Sequence, residues 1–158
     1  MLTVLGGGGD GACCALLRAQ TAVTPAPGML ADVQDTPVGW CGFGERDQMG
    51  RLVRSRTIPQ VDEVQVWSIL CFTVRVGYRR LGLGHAPLGG VIEYARERGA
   101  PALEAYPVDP GGRRIPRHRC LRRNHGHVRS GFQRVTETEA RSAGLPRGLV
   151  RLDLGESA

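Results

Sequence analysis

The chain has 158 residues and a mass of 17.1 kDa, close to the most common size of a single globular domain. Hydrophobic residues (41%) and charged residues (23%) occur in ordinary proportions, which excludes a wholly disordered chain and a coiled coil. The net charge is +6, but eight arginines and no acidic residue lie within 111–134, so the positive charge is concentrated in one segment that predicts a local anionic partner.

The cellular setting is predicted from what the sequence lacks. No stretch reaches the roughly 18 apolar residues of a membrane-spanning helix. Residues 1–11 have neither the basic region nor the long apolar region of a signal peptide. The five cysteines have no disulfide-framework spacing, and Cys41 and Cys71 lie in apolar runs where reduced thiols are usual. We therefore expect a cytoplasmic protein with no membrane partner. The absence of lysine and the 23 glycines indicate a GC-rich bacterial genome.

The predicted secondary structure is mostly strands. Residues 1–26 are poorly patterned, and we expect a single domain over 27–158. The polar residues 34–37 have the composition of a hairpin turn, and 44–59 read as a charged loop. Strands are predicted, in chain order, at 29–33, 38–43, 64–76, 102–108, 132–136 and 149–154.

One helix is predicted after the strand at 64–76. Leu88, Val91, Ile92 and Ala95 have the spacing of a single buried helical stripe. Gly99 is suited to end this helix, because glycine readily adopts the left-handed conformation found after many helix ends. The pattern therefore predicts a strand, a turn and a helix in succession.

The turn between this strand and helix carries the most informative motif, Arg79-x-x-Gly82-x-Gly84. Glycines let successive backbone N–H groups face a ligand, and the start of a helix adds partial positive charge, so the turn is suited to a diphosphate. The dinucleotide-binding fingerprint requires a third glycine where Pro87 stands, which argues against NAD.

The same motif resembles the acyl-CoA loop of the GNAT superfamily of N-acetyltransferases. The resemblance covers about residues 27–109 and has further blocks at 27–31, 37–40, 66–74, 94–96, 99–108 and Gly131-Phe132. It implies the acyl-CoA N-acyltransferase fold, of the α/β (α+β) class. In that fold a mixed central sheet splays open around the pantetheine arm of CoA, with helices on both faces.

The resemblance also implies the ligands. Acetyl-CoA would be the co-substrate, and the acceptor would be an amine carried by a small molecule or a protein. Backbone groups of two strand residues would hold the pantetheine arm, and the glycine turn would hold the pyrophosphate. These cofactor-binding residues are Phe72, Val74, Arg79, Arg80, Leu81, Gly82, Leu83, Gly84 and His85.

Such a reaction needs a base for the ammonium and an acid for the departing thiolate. For the base we consider Glu63 and Glu104; apolar sequence neighbours of Glu104 predict a raised pKa, and the alternative is a surface carboxylate paired with an arginine. Tyr106 is either an acid or a core aromatic residue. The family's usual acid is a tyrosine before the Gly-Phe pair, and here only Ser130 or His127 could replace it.

The arginine-rich segment 111–134 departs from the family, because it lacks an apolar helical stripe. Its histidines and Cys120 match no zinc-site spacing, so no metal is expected. It has no interleaved aromatic residues, which disfavours a nucleic-acid partner. Its arginines would meet CoA phosphates, an acidic substrate or water. Two alternative functions stay open, a non-catalytic acyl-CoA-binding relic and a small basic nucleic-acid-binding module. The oligomeric state also stays open, and a homodimer is one of the alternatives.

Overall fold

The computed structural model describes residues 28–34, 36–74, 77–78, 86–109, 130–142 and 144–155. These residues form six strands and two α-helices, with a short 3-10 turn at Arg46–Gln48. The strands are β1 (Gly28–Val33), β2 (Thr36–Glu45), β3 (Trp67–Val74), β4 (Ala102–Ala105), β5 (Gln133–Ser142) and β6 (Leu145–Asp153). The helices are α1 (Gly50–Val53) and α2 (Ala86–Glu97).

All six strands belong to one mixed sheet, in the order β1-β2-β3-β4-β6-β5. Only β3 and β4 are parallel, and every other neighbouring pair is antiparallel. The sheet thus consists of two antiparallel halves joined by a single parallel contact. The predicted mixed sheet is confirmed.

The parallel contact between the two halves is short. β3 pairs with β4 only from Trp67 to Ile69, the last pair being Ile69 with Ala105. On its other side β3 stays paired with β2 as far as Val74. The register between β2 and β3 shifts after Ile69, which leaves Leu70 as an extra residue at the point where β4 departs. The described part of the sheet is therefore open between Leu70–Val74 and the chain that follows Ala105.

One face of the sheet is covered by α2. The predicted stripe of Leu88, Val91, Ile92 and Ala95 is buried against β2, β3 and β4. Burial of Leu88, Val91 and Ile92 contributes about 2 kcal/mol each, and the smaller Ala95 contributes less. Gly99 has a φ of +71° and ends the helix as predicted. Gly90, which weakens the helix locally, leaves room for the thioether of Met29 on β1.

The opposite face is covered by the chain between β2 and β3. Leu52 of α1 packs against Tyr106 and against Leu149 of β6. This face also receives Leu70, the extra residue of β3. Helices therefore lie on both faces of the sheet, as predicted.

Several predicted boundaries differ from the structure. The supposed loop 44–59 contains the 3-10 turn and α1, and the hairpin turn is shorter because residues 36–37 belong to β2. The strand predicted at 102–108 ends at Ala105, since a proline at position 107 cannot donate to a ladder, and Val108 makes an isolated bridge with Arg147. The last two strands form a longer hairpin, because β5 is an exposed edge strand whose polar residues conceal it in the pattern.

Some predictions concern residues outside the described ranges. These are the N-terminal segment 1–26, the turn residues Arg79–His85 and most of the arginine-rich segment, so they stay predictions. Within the described residues Cys41 and Cys71 form no disulfide bond, and burial raises the pKa of Cys41. Among the described residues, no helix is long and apolar enough to span a membrane.

Candidate active site

A group of polar side chains lies where the sheet opens, on the α1 face. Along a strand, successive side chains point to opposite faces. Leu103 and Ala105 pack towards α2, so Glu104 between them points to the α1 face. Ser68, paired with Glu104 across the parallel contact, points the same way. Arg151 of β6 pairs with Glu104 from the other side.

Glu104 is the centre of this group and is only 1% exposed. Its Oε1 atom accepts hydrogen bonds from Nη2 and Nε of Arg151, at 2.7 and 3.2 Å. Its Oε2 atom accepts a hydrogen bond of 3.0 Å from the Tyr106 hydroxyl. Nε of Arg46 lies 3.9 Å from the same oxygen. Both carboxylate oxygens therefore have partners within the protein.

The side chain of Glu104 does not lie in the apolar surroundings that its sequence neighbours suggest. Its apolar sequence neighbours point to the other face, and its spatial neighbours are the charged and hydroxyl groups of Arg151 and Tyr106. The alternative, a carboxylate paired with an arginine, is what the structure contains, although the pair is buried and not on the surface. The role of Glu104 as a base stays a prediction.

Tyr106 combines a packed ring with a bound hydroxyl group. The residue is 2% exposed, and its ring packs with Leu52 and Leu149. The hydroxyl donates a hydrogen bond to Glu104, so in its contact of 3.0 Å with Ser68 the Ser68 hydroxyl is the donor. Burial, followed by the negative charge of Glu104, raises the pKa of Tyr106 to about 12. Tyr106 is therefore protonated at neutral pH.

Arg151 connects this buried group to the segment before β3. It binds both carboxylate oxygens of Asp62, with Nη2 to Oδ1 at 3.1 Å. The hydrogen bonds from Arg151 hold the pKa of Asp62 below its ordinary value. Glu63, the other candidate base, is the exposed residue next to Asp62. The structure thus brings the segment of Glu63 and the side chain of Glu104 to one arginine.

Arg46 closes the group on the side of α1. It is 7% exposed, and its Nη2 donates a hydrogen bond of 3.0 Å to the carbonyl oxygen of Ile58. Its Nε is buried and has no hydrogen-bond partner among the described residues, where Glu104 is the carboxylate within 4 Å of it. A cavity of about 250 Å³ lies between the 3-10 turn, α1 and residues 55–60, with Arg46 and Leu52 in its wall.

Arg46, Ser68 and Arg151 were missed by the sequence analysis. Arg151 lies in a stretch of alternating leucine and charged residues, for which only a strand is predicted. Leu152 packs towards α2, while Arg151 turns its side chain to the half-buried α1 face. An inward arginine needs a buried acid, and Glu104 between two apolar residues was the available signal.

The predicted cofactor residues are only partly described. Phe72 and Val74 lie on β3 beyond the point where β4 departs, and Phe72 packs against the cluster under α2. Gly77, which precedes the motif, has a φ of +98°, a conformation that favours glycine. The motif itself lies outside the described residues. In the described ranges no cluster of three or more His, Cys, Asp or Glu side chains could hold a metal ion.

Comparisons with known proteins agree with this geometry. A model of the acetyltransferase (GNAT) family matches residues 12–121, more than half of the chain. A comparison with curated proteins found no significant match.

Solved structures of the same fold are distant in sequence. Ard1 from Thermoplasma volcanium is 18% identical with a TM-score of 0.60, covering 90% of this chain and 80% of its own. YncA from Salmonella typhimurium, solved with its cofactor acetyl-CoA, is 16% identical with a TM-score of 0.62, over 93% and 75% of the two chains. The ribosomal-protein-S18-alanine N-acetyltransferase from Escherichia coli is 13% identical with a TM-score of 0.55, over 84% and 72%.

Proposed function

The chain belongs to the GNAT acetyltransferase family, and we propose that it acts as an N-acetyltransferase that moves the acetyl group of acetyl-CoA to a primary amine. The observation that carries this proposal is the opening of the sheet after Ile69 and Ala105. A polar group containing two acidic side chains and a tyrosine borders this opening on the α1 face. The acceptor would approach from that face.

Acetyl-CoA would occupy the opening. Its pantetheine arm would lie along Phe72 and Val74, on the stretch of β3 that β4 does not cover. Its pyrophosphate would bind the backbone of the turn from Arg79 to His85, at the start of α2. This arrangement would place the thioester near Leu70 and Tyr106, where the two halves of the sheet separate.

The reaction would be direct attack of the amine nitrogen on the thioester carbonyl carbon. A C–N bond forms, the C–S bond breaks, and the thiolate of CoA leaves. The ammonium group first gives one proton to a base, which makes the nitrogen nucleophilic. After the attack the nitrogen gives up a second proton, and the departing thiolate takes up one. Binding both reactants at the opening would make this step effectively unimolecular, which supplies much of the rate enhancement.

Two carboxylates are proposed for the base. Glu63 is exposed and could accept a proton from an entering ammonium group and pass it to water. Glu104 is buried, and it could accept a proton only if its hydrogen bonds with Tyr106 and Arg151 rearranged. We therefore propose Glu63 as the group that takes the proton and Glu104 as the group that holds the inner network in place, with the reverse assignment tested below.

Tyr106 is proposed as a hydrogen-bond donor to the leaving group. With a pKa of about 12 it is a much weaker acid than a thiol, whose ordinary pKa is about 8.5, so full proton transfer to a thiolate would be unfavourable by roughly a thousandfold. The single hydroxyl proton, which is donated to Glu104 in the structure, would turn to the thiolate during the reaction. A hydrogen bond from the neutral hydroxyl would then stabilise the thiolate without that cost. The proton that the thiolate finally takes up would then come from water, or it would be the one released by the amine nitrogen.

A non-catalytic acyl-CoA-binding protein is the second candidate function. The observation that favours it is the paired state of Glu104, which is only 1% exposed and has partners on both oxygens. A relic that had lost its chemistry could keep this network for stability alone.

Free-thiol release from acetyl-CoA, measured with a panel of primary amines and without amine, tests the proposal. The proposal expects release that depends on an amine and saturates with acetyl-CoA. Binding of acetyl-CoA without release for any amine would favour the non-catalytic protein. Failure to bind acetyl-CoA, together with salt-sensitive binding of RNA or DNA, would favour the nucleic-acid-binding module.

A further inference from the structure

Nε of Arg46 is a buried donor that has no hydrogen-bond partner among the described residues. The residue is only 7% exposed, and Nε lies 3.9 Å from Oε2 of Glu104. That distance is too long for a hydrogen bond, which needs about 3 Å. Buried donors without a partner are rare in folded proteins, because they give up their bonds to water and gain nothing in exchange. An unpaired N–H beside a buried carboxylate therefore points to a role.

The rest of Arg46 is held firmly in place. Its backbone N–H donates a hydrogen bond of 3.0 Å to the carbonyl oxygen of Val66, just before β3. Its Nη2 donates to the carbonyl oxygen of Ile58, also at 3.0 Å. Both bonds keep the guanidinium group near Glu104 without using Nε. The cavity of about 250 Å³ borders Arg46, so the side chain has space beside it for the movement of about 1 Å that would bring Nε within hydrogen-bond distance of Oε2.

Oε2 of Glu104 is the oxygen that the proposed reaction would deprive of its donor. In the structure it accepts the hydrogen bond of 3.0 Å from the Tyr106 hydroxyl, whereas Oε1 accepts from Arg151. The hydroxyl has a single proton, so turning it to the leaving thiolate removes its bond to Oε2. A buried carboxylate oxygen without a donor is unfavourable, and this cost would add to the reaction barrier. Nε of Arg46 is an unused donor within 4 Å of the same oxygen.

We propose that Arg46 is a positioning residue for the acetyl transfer: its Nε holds a hydrogen bond in reserve and donates it to Oε2 of Glu104 when the Tyr106 hydroxyl turns to the thiolate. The proposal rests on the proposed N-acetyltransferase function. Arg46 would act through Glu104 and not on the reactants, by keeping the carboxylate paired while the hydroxyl is in use. The alternative is a purely structural arginine, whose charge balances Glu104 and whose Nε never forms a bond.

Tyr106→Phe removes the hydroxyl permanently and so imitates the moment at which it has turned away. The NMR signal of the Arg46 Nε–H group is assigned as the one missing from the spectrum of Arg46→Lys. It should move downfield in Tyr106→Phe, because the group gains a hydrogen bond. The Nε–H group of Arg151, assigned in the same way from Arg151→Lys, is the matched control. It already donates to Oε1 of Glu104 at 3.2 Å, so its signal should move little.

Arg46→Gln and Arg46→Met are a matched pair of neutral variants that test the same exchange by stability. The amide nitrogen of glutamine occupies the position of Nε, whereas methionine has a methyl group there. The ratio of their unfolding equilibrium constants, measured in urea, is compared with and without Tyr106→Phe. Adding Tyr106→Phe should change this ratio about tenfold in favour of Arg46→Gln, because only this variant can donate to Oε2.

The same pair separates a reserve donor from a structural arginine during turnover. Thiol release from acetyl-CoA at saturating amine should be about tenfold faster for Arg46→Gln than for Arg46→Met, with the same KM for acetyl-CoA. Adding Tyr106→Phe to both variants should remove this difference, since no hydroxyl then has to leave Glu104. A charge that is needed only for folding would give neither result.

The two proposals fail separately. The proposed role of Arg46 is overturned if its Nε–H signal stays in place in Tyr106→Phe, or if the stability ratio is the same in both backgrounds. Equal turnover of Arg46→Gln and Arg46→Met, in a protein whose wild type releases thiol, also overturns it and leaves the proposed function intact. If the wild type releases no thiol with any amine, the proposed function and the part of Arg46 in it both fail, and a moved signal would then show only an exchange of donors at Glu104.

Discussion

The hydroxyl group of Tyr106 donates a hydrogen bond of 3.0 Å to Oε2 of Glu104 at the point where the two halves of the sheet separate. This contact makes the candidate acid and one candidate base parts of a single buried network. A substitution at either residue therefore changes both stability and chemistry, and the two effects need separate controls.

Glu104→Gln should destabilise the protein by about 3 kcal/mol, because Arg151 and Arg46 would lose their buried countercharge. Glu63→Gln is the matched control, an exposed substitution expected to change the free energy of unfolding by less than about 0.5 kcal/mol. Urea unfolding of both variants checks these values.

The same two variants assign the base. Loss of the base should lower turnover by about 100-fold and leave the acetyl-CoA dissociation constant nearly unchanged. We expect this result for Glu63→Gln. A normal rate for Glu63→Gln and a 100-fold loss for a folded Glu104→Gln would give the role to Glu104. Normal turnover in both variants would exclude both residues as the base.

Because of Tyr106, the free energy of unfolding should fall at alkaline pH. Its pKa is about 12 in the folded protein and 10.0 ordinarily, so between these values the folded state holds a proton that the unfolded state has released. The contribution is complete below pH 10 and is lost as the pH rises to about 12, with a slope of up to about 1.4 kcal/mol per pH unit. Tyr106→Phe should remove this slope. Equal slopes in the two proteins, measured by urea unfolding between pH 9 and 12, would contradict the burial of a protonated Tyr106.

Asp62 should make the free energy of unfolding fall at acidic pH. Its pKa is lowered in the folded protein by hydrogen bonds from Arg151, so its contribution is present above the ordinary value of 3.8 and is lost as the pH falls through the lower folded value. The effect is small because the side chain is 40% exposed and water screens the pair. The difference in unfolding free energy between wild type and Asp62→Asn should therefore shrink as the pH is lowered from 5 to 2. A difference that does not change with pH would mean that the pair is absent in solution.

The glycine motif can be tested against a second glycine in the following helix. Gly82→Val should block close approach of the backbone to the CoA pyrophosphate and weaken acetyl-CoA binding without unfolding the protein. Gly89→Val is the control, because a Cβ at Gly89 meets no atom within 4 Å. Unchanged acetyl-CoA affinity in folded Gly82→Val, measured by calorimetry, would remove the motif from the binding site.

The fold could be predicted from the sequence where the spacing of apolar residues indicates one buried face, or where a glycine marks the end of a helix. The stripe from Leu88 to Ala95 and the ending glycine at position 99 are such cases, and both are confirmed. Strand β5 was mostly missed, since an exposed edge strand needs no apolar alternation and carries little signal.

The network around Glu104 could not be predicted from sequence neighbours. Its partners come from other strands, and which side chains meet depends on the register between β3, β4 and β6. Arg151 is 47 residues from Glu104 along the chain. Only the pairing of the two strands brings these side chains together, and a pattern within one strand does not contain that information.

The most direct test of the central claim, that acetyl-CoA lies in the opening between β3 and β4, is amide hydrogen exchange with and without saturating acetyl-CoA. Slower exchange is expected at Leu70–Val74, at Arg79–His85 and within 111–130, with little change in β5. Protection at Arg79–His85 without protection in 111–130 would exclude the arginine-rich segment from the cofactor site and favour the non-catalytic protein. Exchange that is unchanged at Leu70–Val74 while acetyl-CoA is bound would contradict the central claim.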